Sequence, residues 1–501
     1  VASANQRSAE AAADTAAHSP APSPSPAEVT FGDVLANTHY RNILFAQFFS
    51  NVGTWMEMFV IQMFLARLTG SLADQGILTA FQQVPIFALG IAGGLLADRV
   101  DRRRMLVVTQ VLAGIVALGV AWVLWHDFAS PRHAVWALWA LGGLHGCVMA
   151  FNFPAWQVLT PRLVPRVQLT KAITLNGIQF NTARIVGPAV AGFALALIAG
   201  PPLLVFNAIT FLVMGAVVLT TPPTPAPAPS DVPVARQLTE AVAVAWRHKG
   251  IRAVFFAQVL ASMLAAPLVR LLSLFAIDVY KLPSVGPHRA AVSGEAVPLS
   301  FTGPLTAENA AGLMLAVQGL GAVVGGLSLR YVPSWYPKHH LIPLAIAALG
   351  LSICIFSLTT SPWAGFVAMF ICGYFWIWTF NQSWAAVQLL APDAMRGRVL
   401  AFVTVAGFGA TALGAFGAGW FGELLKARQV LSSAGATQLT VAVLGFPLMV
   451  AGIVMMLHRV PEVDNMSPRP DGRPPSRSLW KAITASEHRP REQVEPVDPE
   501  T

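Results

Sequence analysis

Gly94-Leu95-Leu96-Ala97-Asp98-Arg99-Val100-Asp101-Arg102-Arg103-Arg104 joins two long apolar runs, about 75–97 and about 105–125. A helix needs roughly 20 apolar residues to cross a hydrocarbon core, and each run is long enough. The charges gather in the joint between them, where a pair of crossing helices returns to water. Four arginines in one turn mark that joint as cytoplasmic, because basic loops are retained inside. Outward from this point the same pattern recurs. The other runs of the first half lie at about 42–66, 134–156, 170–198 and 203–220. Six more follow at about 252–277, 307–329, 341–360, 363–386, 399–423 and 438–457. The fold class expected is an all-α integral membrane protein with twelve spans. Transmembrane β-strands would be ~10 residues long with strict alternation, a pattern the sequence lacks.

Composition agrees. Of 501 residues, 55% are hydrophobic and 11% charged, against about 25% charged in soluble domains. So few charges cannot coat a soluble enzyme, a nucleic-acid binder or a disordered scaffold. The net charge of +8 fits basic cytoplasmic loops and needs no nucleic acid to explain it. Cys147, Cys354 and Cys372 lie inside apolar runs without metal-ligand spacing, so neither a disulfide framework nor a metal site is expected. No cofactor motif is present: the chain has no P-loop, no His-Glu-x-x-His and no Gly-x-Ser-x-Gly.

Five segments follow. Residues 1–40 read as a disordered tail, 41–220 as a first six-helix bundle, 221–250 as a linker, 251–457 as a second bundle and 458–501 as a second tail. Within the linker, Leu238, Ala241, Val242, Ala245 and Trp246 recur at helical spacing beside Arg236, Arg247 and Lys249, an amphipathic helix suited to the membrane interface. With both termini inside, cytoplasmic segments hold 24 of the 32 basic residues. Arg67, Arg132, Lys281, Arg289, Lys426 and Arg428 fall outside, and Arg184 and Arg270 fall within spans.

The halves repeat at an offset near 230 residues. Gly93-Gly94-Leu95 matches Gly325-Gly326-Leu327, Phe151-Asn152 matches Phe380-Asn381, and Leu163-Val164-Pro165 matches Leu390-Ala391-Pro392. Two parallel repeats of this kind place a substrate at the midplane between them, with access alternating by rocking.

The joint quoted first resembles the span 2–3 loop signature of the major facilitator superfamily, with Asp101 where the general pattern has Gly. Ala183-Arg184-Ile185-Val186-Gly187-Pro188-Ala189-Val190-Ala191-Gly192 resembles the Gly-Pro motif of its exporters. Leu163-Val164-Pro165-Arg166, Asn176, Gln179-Phe180-Asn181 and Pro392-Asp393-Ala394-Met395-Arg396-Gly397-Arg398 resemble the transmembrane secretion effector branch, which includes the enterobactin exporter. The resemblance runs from about 35 to 458. It implies a cytoplasmic gate of Gly94, Asp98, Arg99, Arg102, Arg103, Arg396 and Arg398, and a sealing role for Arg184, Gly187, Pro188 and Gly192. Siderophores or drug-like amphipathic compounds are the substrates it implies.

Charges deep in a bilayer need partners. Glu57 and Arg184 fall at similar depth and are candidates to pair, with Glu57 a proton-coupling carboxylate, half of a static ion pair or a carboxylate pointing into a watery cavity. Arg270 either reaches Asp278 or the interface by snorkelling or is a substrate contact. His145 is either a titrating group or a packing residue. Asn152 and Asn381 mark equivalent levels of spans 4 and 10. Span 10 also carries Tyr374, Phe375, Trp376, Trp378, Phe380 and Trp384, either lipid-facing packing or the wall of an aromatic-binding cavity.

The function expected is a secondary active transporter in a bacterial inner membrane. It would be a proton-coupled exporter of a small molecule that works without an obligatory protein partner. An importer of a small nutrient is the alternative, and a membrane-embedded enzyme or receptor a remote one.

Overall fold

The computed structural model describes residues 29–126, 128–222, 234–284, 305–333, 336–392 and 395–458. The expected tails beyond 29 and 458, the Pro-rich part of the linker and most of the loop 279–306 lie outside the described residues. Every described element is a helix. The first half comprises α1 (Phe31–Ala36), α2 (Thr38–Thr69), α3 (Leu72–Arg99), α4 (Arg102–Trp125), α5 (Pro131–Leu163), α6 (Leu169–Leu197) and α7 (Gly200–Leu219). The linker helix is α8 (Val234–Arg247). The second half comprises α9 (Lys249–Leu264), α10 (Leu268–Leu274), α11 (Ala307–Ser328), α12 (Lys338–Ser357), α13 (Pro362–Leu390), α14 (Arg396–Ala427) and α15 (Ser433–Leu457).

Nine of the membrane-crossing candidates among the described residues are long and apolar enough by length and composition. That is fewer than the twelve runs counted in the sequence. The remaining three, α2, α3 and α6, are as long but carry polar residues along their length, among them Glu57, Gln62, Gln75, Gln179 and Arg184.

Two further expectations are corrected. Residues 29–40 read as part of a disordered tail in the sequence, yet Thr30 and Asp33 form a capping box on α1. Val29, Val34 and Tyr40 then pack with Val164 and Ala172, and burying them offsets the cost of ordering the segment. The run 252–277 was expected as one helix. It breaks at Pro267, which lacks the N–H an α-helix needs, and α10 continues into a π-turn over Phe275–Val279.

Within the first half α3 packs on α5, α4 on α7, and α2 on both α6 and α7. Within the second, α12 packs on α15, α11 on α13 and α9 on α14. The halves meet along two seams, α3 against α14 and α6 against α11, which the internal repeat makes equivalent. Both seams rest on glycine. A Cβ on Gly192 would lie 2.7 Å from the Glu308 carbonyl, and one on Gly312 2.5 Å from the Pro188 carbonyl. A Cβ on Gly419 would lie 2.5 Å from the Leu72 carbonyl. Small residues at such crossings let backbones touch, which is how helices associate in lipid.

Candidate functional site

At one end of the bundle the halves are clasped. Arg67, at the end of α2, donates from Nε to Glu308 Oε1 of α11 at 3.0 Å and to Ser284 Oγ at 3.0 Å. Glu308 is fully buried and also accepts from Ser284 Oγ at 2.6 Å. Across the other seam, Glu423 of α14 accepts from Ser71 Oγ at 3.0 Å and from the Leu72 amide at 3.2 Å, so it caps α3. Lys426 bridges Asp278 Oδ2 at 3.0 Å and the Gly70 carbonyl at 2.9 Å. Gly70 ends α2 in a left-handed conformation, φ +58°, which costs glycine nothing and aims that carbonyl at the lysine. In the sequence Arg67 and Lys426 read only as charges flanking the spans, and the clasps they form are not apparent there. The signal available was charge of both signs at one level: Arg67 and Lys426 with Glu308 and Asp278.

The opposite end carries the arginine cluster. Asp101, the departure from the family loop, caps α4 by accepting from the Arg103 amide at 2.9 Å. The Arg103 guanidinium reaches the Leu219 carbonyl, Arg104 lies 3.9 Å from Asp101, and Arg102 is buried. Arg396 Nε donates to the Gln388 carbonyl at 2.9 Å. Arg398 lies 3.9 Å from Glu240 on the linker helix α8. Gly94 faces open space and Arg99 is exposed. The side chain of Asp98 lies outside the described residues.

Between the two ends the structure brings together residues that the sequence placed far apart. Arg184 of α6 is buried and donates from Nη2 to Gln318 Oε1 of α11 at 2.9 Å. Its guanidinium lies between two indoles, 5.8 Å from the ring centre of Trp55 on α2 and 5.5 Å from that of Trp376 on α13. Cation–π attraction of this kind is worth about 2 kcal/mol or more when desolvated. The anticipated Glu57–Arg184 pair does not form. Glu57 sits two residues from Trp55, so it leaves α2 on roughly the opposite side. There it accepts from Asn207 of α7, which Thr210 supports through Oγ1 at 3.2 Å.

Arg270 also differs from expectation. With its amide oxygen turned toward the guanidinium, Gln62 accepts from Arg270 Nη1 at 2.7 Å and Nε at 3.3 Å. Asp278 is taken by Lys426. His145 Nδ1 is buried without a partner among the described residues. Gln62 falls seven residues after Trp55 on the same face of α2, so Arg184 and Arg270 flank one surface. Asn152 is not part of it: its Nδ2 donates to Thr109 of α4 at 2.8 Å, inside the first half. Asn381 is exposed, away from these contacts. Gly187 and Pro188 lie just beyond Arg184, where a Cβ on Gly187 would meet Trp55 Cβ at 2.7 Å.

From Arg184 toward the clasped end, α6 and α11 are in contact through Ile185 and Gly319, Pro188 and Gly312, and Gly192 and Glu308. Toward the basic end the same face of α6 is uncovered. Ile178 is 54% exposed, Thr174 is exposed, and Gly177 has nothing within 4 Å. The seam therefore parts at Arg184.

Against known proteins, the model of a family described as transmembrane secretion effector matches residues 32–479. The staphyloferrin A transporter of Staphylococcus aureus (strain NCTC 8325 / PS 47) is 27% identical over 34% of this chain and 42% of its own length, so the chain spans less than half of that relative. A Na(+), Li(+), K(+)/H(+) antiporter of Planococcus maritimus is 25% identical over 78% of this chain and 92% of its own. The enterobactin exporter of Escherichia coli O1:K1 / APEC is 23% identical over 84% and 92%. Among solved structures, the nucleoside transporter NupG aligns with a TM-score of 0.61 at 14% identity, covering 84% of this chain and 98% of that one. The fold is shared at that distance.

Proposed function

Because this chain belongs to the transmembrane secretion effector family of the major facilitator superfamily, we propose that it is a proton-coupled exporter of small amphipathic molecules working by alternating access. The observation that carries this reading is the one-sided seam: α6 and α11 are packed and clasped from Arg184 to one end and parted from Arg184 to the other. A carrier caught with its pathway closed on one side has this arrangement. The arginine cluster sits at the parted end, which the positive-inside rule makes cytoplasmic. The clasps then face outward, both termini lie in the cytoplasm, and substrate enters from inside. The chain is a transporter and not an enzyme, as are the relatives it matches. A bacterial inner membrane is its proposed location.

Glu57 is the proposed proton carrier. It is a buried carboxylate held by the neutral Asn207 instead of a cation, so gain or loss of a proton leaves no ion pair to break. Export is tested in inverted membrane vesicles energised to acidify the lumen. An exporter driven by protons accumulates dye or drug in the lumen under the gradient and loses it when an uncoupler is added. Accumulation only in right-side-out vesicles would establish import instead.

A further inference from the structure

Three carboxylates at the clasped end each have a cation: Glu308 has Arg67, Asp74 has Arg132 and Asp278 has Lys426. Arg184 is the reverse case. It is a buried cation with no carboxylate among the described residues, and Gln318 fills one of its five N–H donors. An uncompensated charge at that depth costs several kcal/mol, and two indole faces recover part of that. The remaining donors point to a ligand.

The surroundings define its shape. One turn toward the parted end, Phe180 meets Trp55 edge-on with centroids 6.0 Å apart. On the facing half, Trp376 stacks on Phe380 at 4.8 Å and 25°. Each half thus supplies an indole at the level of Arg184 and a phenyl ring one turn below, on the side where the seam is uncovered. The guanidinium stands at the closed apex of an aromatic-walled cleft. A second cation, Arg270, lies two turns further along the same face of α2, and Glu57 is turned away.

We infer that this cleft is the substrate site and that it takes a planar aromatic or conjugated anion, its carboxylate or phenolate on Arg184 and its ring between the aromatic walls. Fork-shaped guanidinium donors match a carboxylate in two bonds, and ring faces supply affinity without fixing identity. A cationic amphiphile would meet repulsion at the apex. The inference rests on the transporter reading for its role but makes a separate claim about charge.

The test is equilibrium dialysis of the purified full-length chain in detergent against three labelled probes of one ring size. These are 1-naphthoate, 1-naphthalenemethanol and 1-naphthylmethylammonium. The native chain should bind naphthoate about tenfold more tightly than the alcohol, a step within reach of a charge-assisted bond, and the ammonium more weakly than either. Arg184→Gln should abolish the preference, so that this variant binds naphthoate and the alcohol alike. Trp376→Leu should weaken naphthoate and alcohol together, because it removes a wall and not the charge. Equal binding of all three probes by the native chain, preference for the ammonium, or no binding at millimolar concentration overturns the inference. So does an Arg184→Gln variant that keeps the preference. If that variant fails to fold, the native charge series and Trp376→Leu still decide. Gradient-driven uptake in inverted vesicles is read separately. Transport without anion preference sinks the site alone, and anion preference without transport sinks the transport reading alone.

Discussion

Arg67 and Glu308 show how much a single contact between halves can hold. Glu308 is fully buried and Arg67 12% exposed, so removing one partner strands the other in a poorly solvated place. Breaking a buried pair in this way costs about 3–5 kcal/mol. Glu308→Gln is therefore expected to lower the thermal midpoint and to favour separation of the clasped ends, measured as a longer spin-label distance between α2 and α11. The exchanged pair Arg67→Glu with Glu308→Arg should recover part of both. At Glu57, substitution to Gln keeps the bond to Asn207 but removes the exchangeable proton. Facilitated movement of substrate down its own gradient should survive, and substrate-dependent collapse of a proton gradient should vanish. Normal proton movement by that variant would rule Glu57 out of coupling.

At the scale of the helix, the seams depend on backbone approach more than on side-chain fit. A side chain on Gly192 meets a carbonyl that belongs to α11 itself, and neither helix can yield without shifting. Overpacking of this sort costs about 1–3 kcal/mol. Gly192→Val should abolish transport and lower stability, whereas Gly177→Ala, one face down and in open space, should fold normally and gain up to about 1 kcal/mol of helix propensity. A thermal-shift comparison of the two variants tests the seam. The apolar runs made the long helices legible, since span length and hydropathy dictate them directly. The break at Pro267 was legible in principle, because proline forbids the interior hydrogen bond, but an apolar count passes over it. Capping of α1 by Thr30 and Asp33 was similarly readable and was outweighed by the Ala, Ser and Pro around it.

Across the whole molecule, the arrangement of the halves explains why the candidate site was only partly readable. Depth along a span can be counted, so Glu57 and Arg184 were found at one level. Direction around a helix depends on which neighbour it packs against, and that depends on the assembled bundle. Glu57 faces α7 and Arg184 faces α11 for that reason, and Trp55 and Trp376 meet over one guanidinium though 321 positions separate them. The proposed cytoplasmic gate is also a property of both halves together. Asp98→Lys should abolish transport while membrane insertion and yield remain normal, scored by efflux from energised cells against surface-accessible protein. Normal efflux would reduce the loop to a topology signal.

The interruption at Pro267 gives the seventh run two lever arms. The Met263 carbonyl, four residues back, has lost its helical donor to the proline ring, and Gly414 provides the room in which it sits. Beyond that fulcrum the short arm carries Arg270, and the π-turn that extends it carries Asp278. These groups touch the ligand-facing surface of α2 and the Lys426 clasp. A tilt of one short arm would therefore disturb both at once, so occupancy in the middle of the membrane can be felt at its far edge without moving α9.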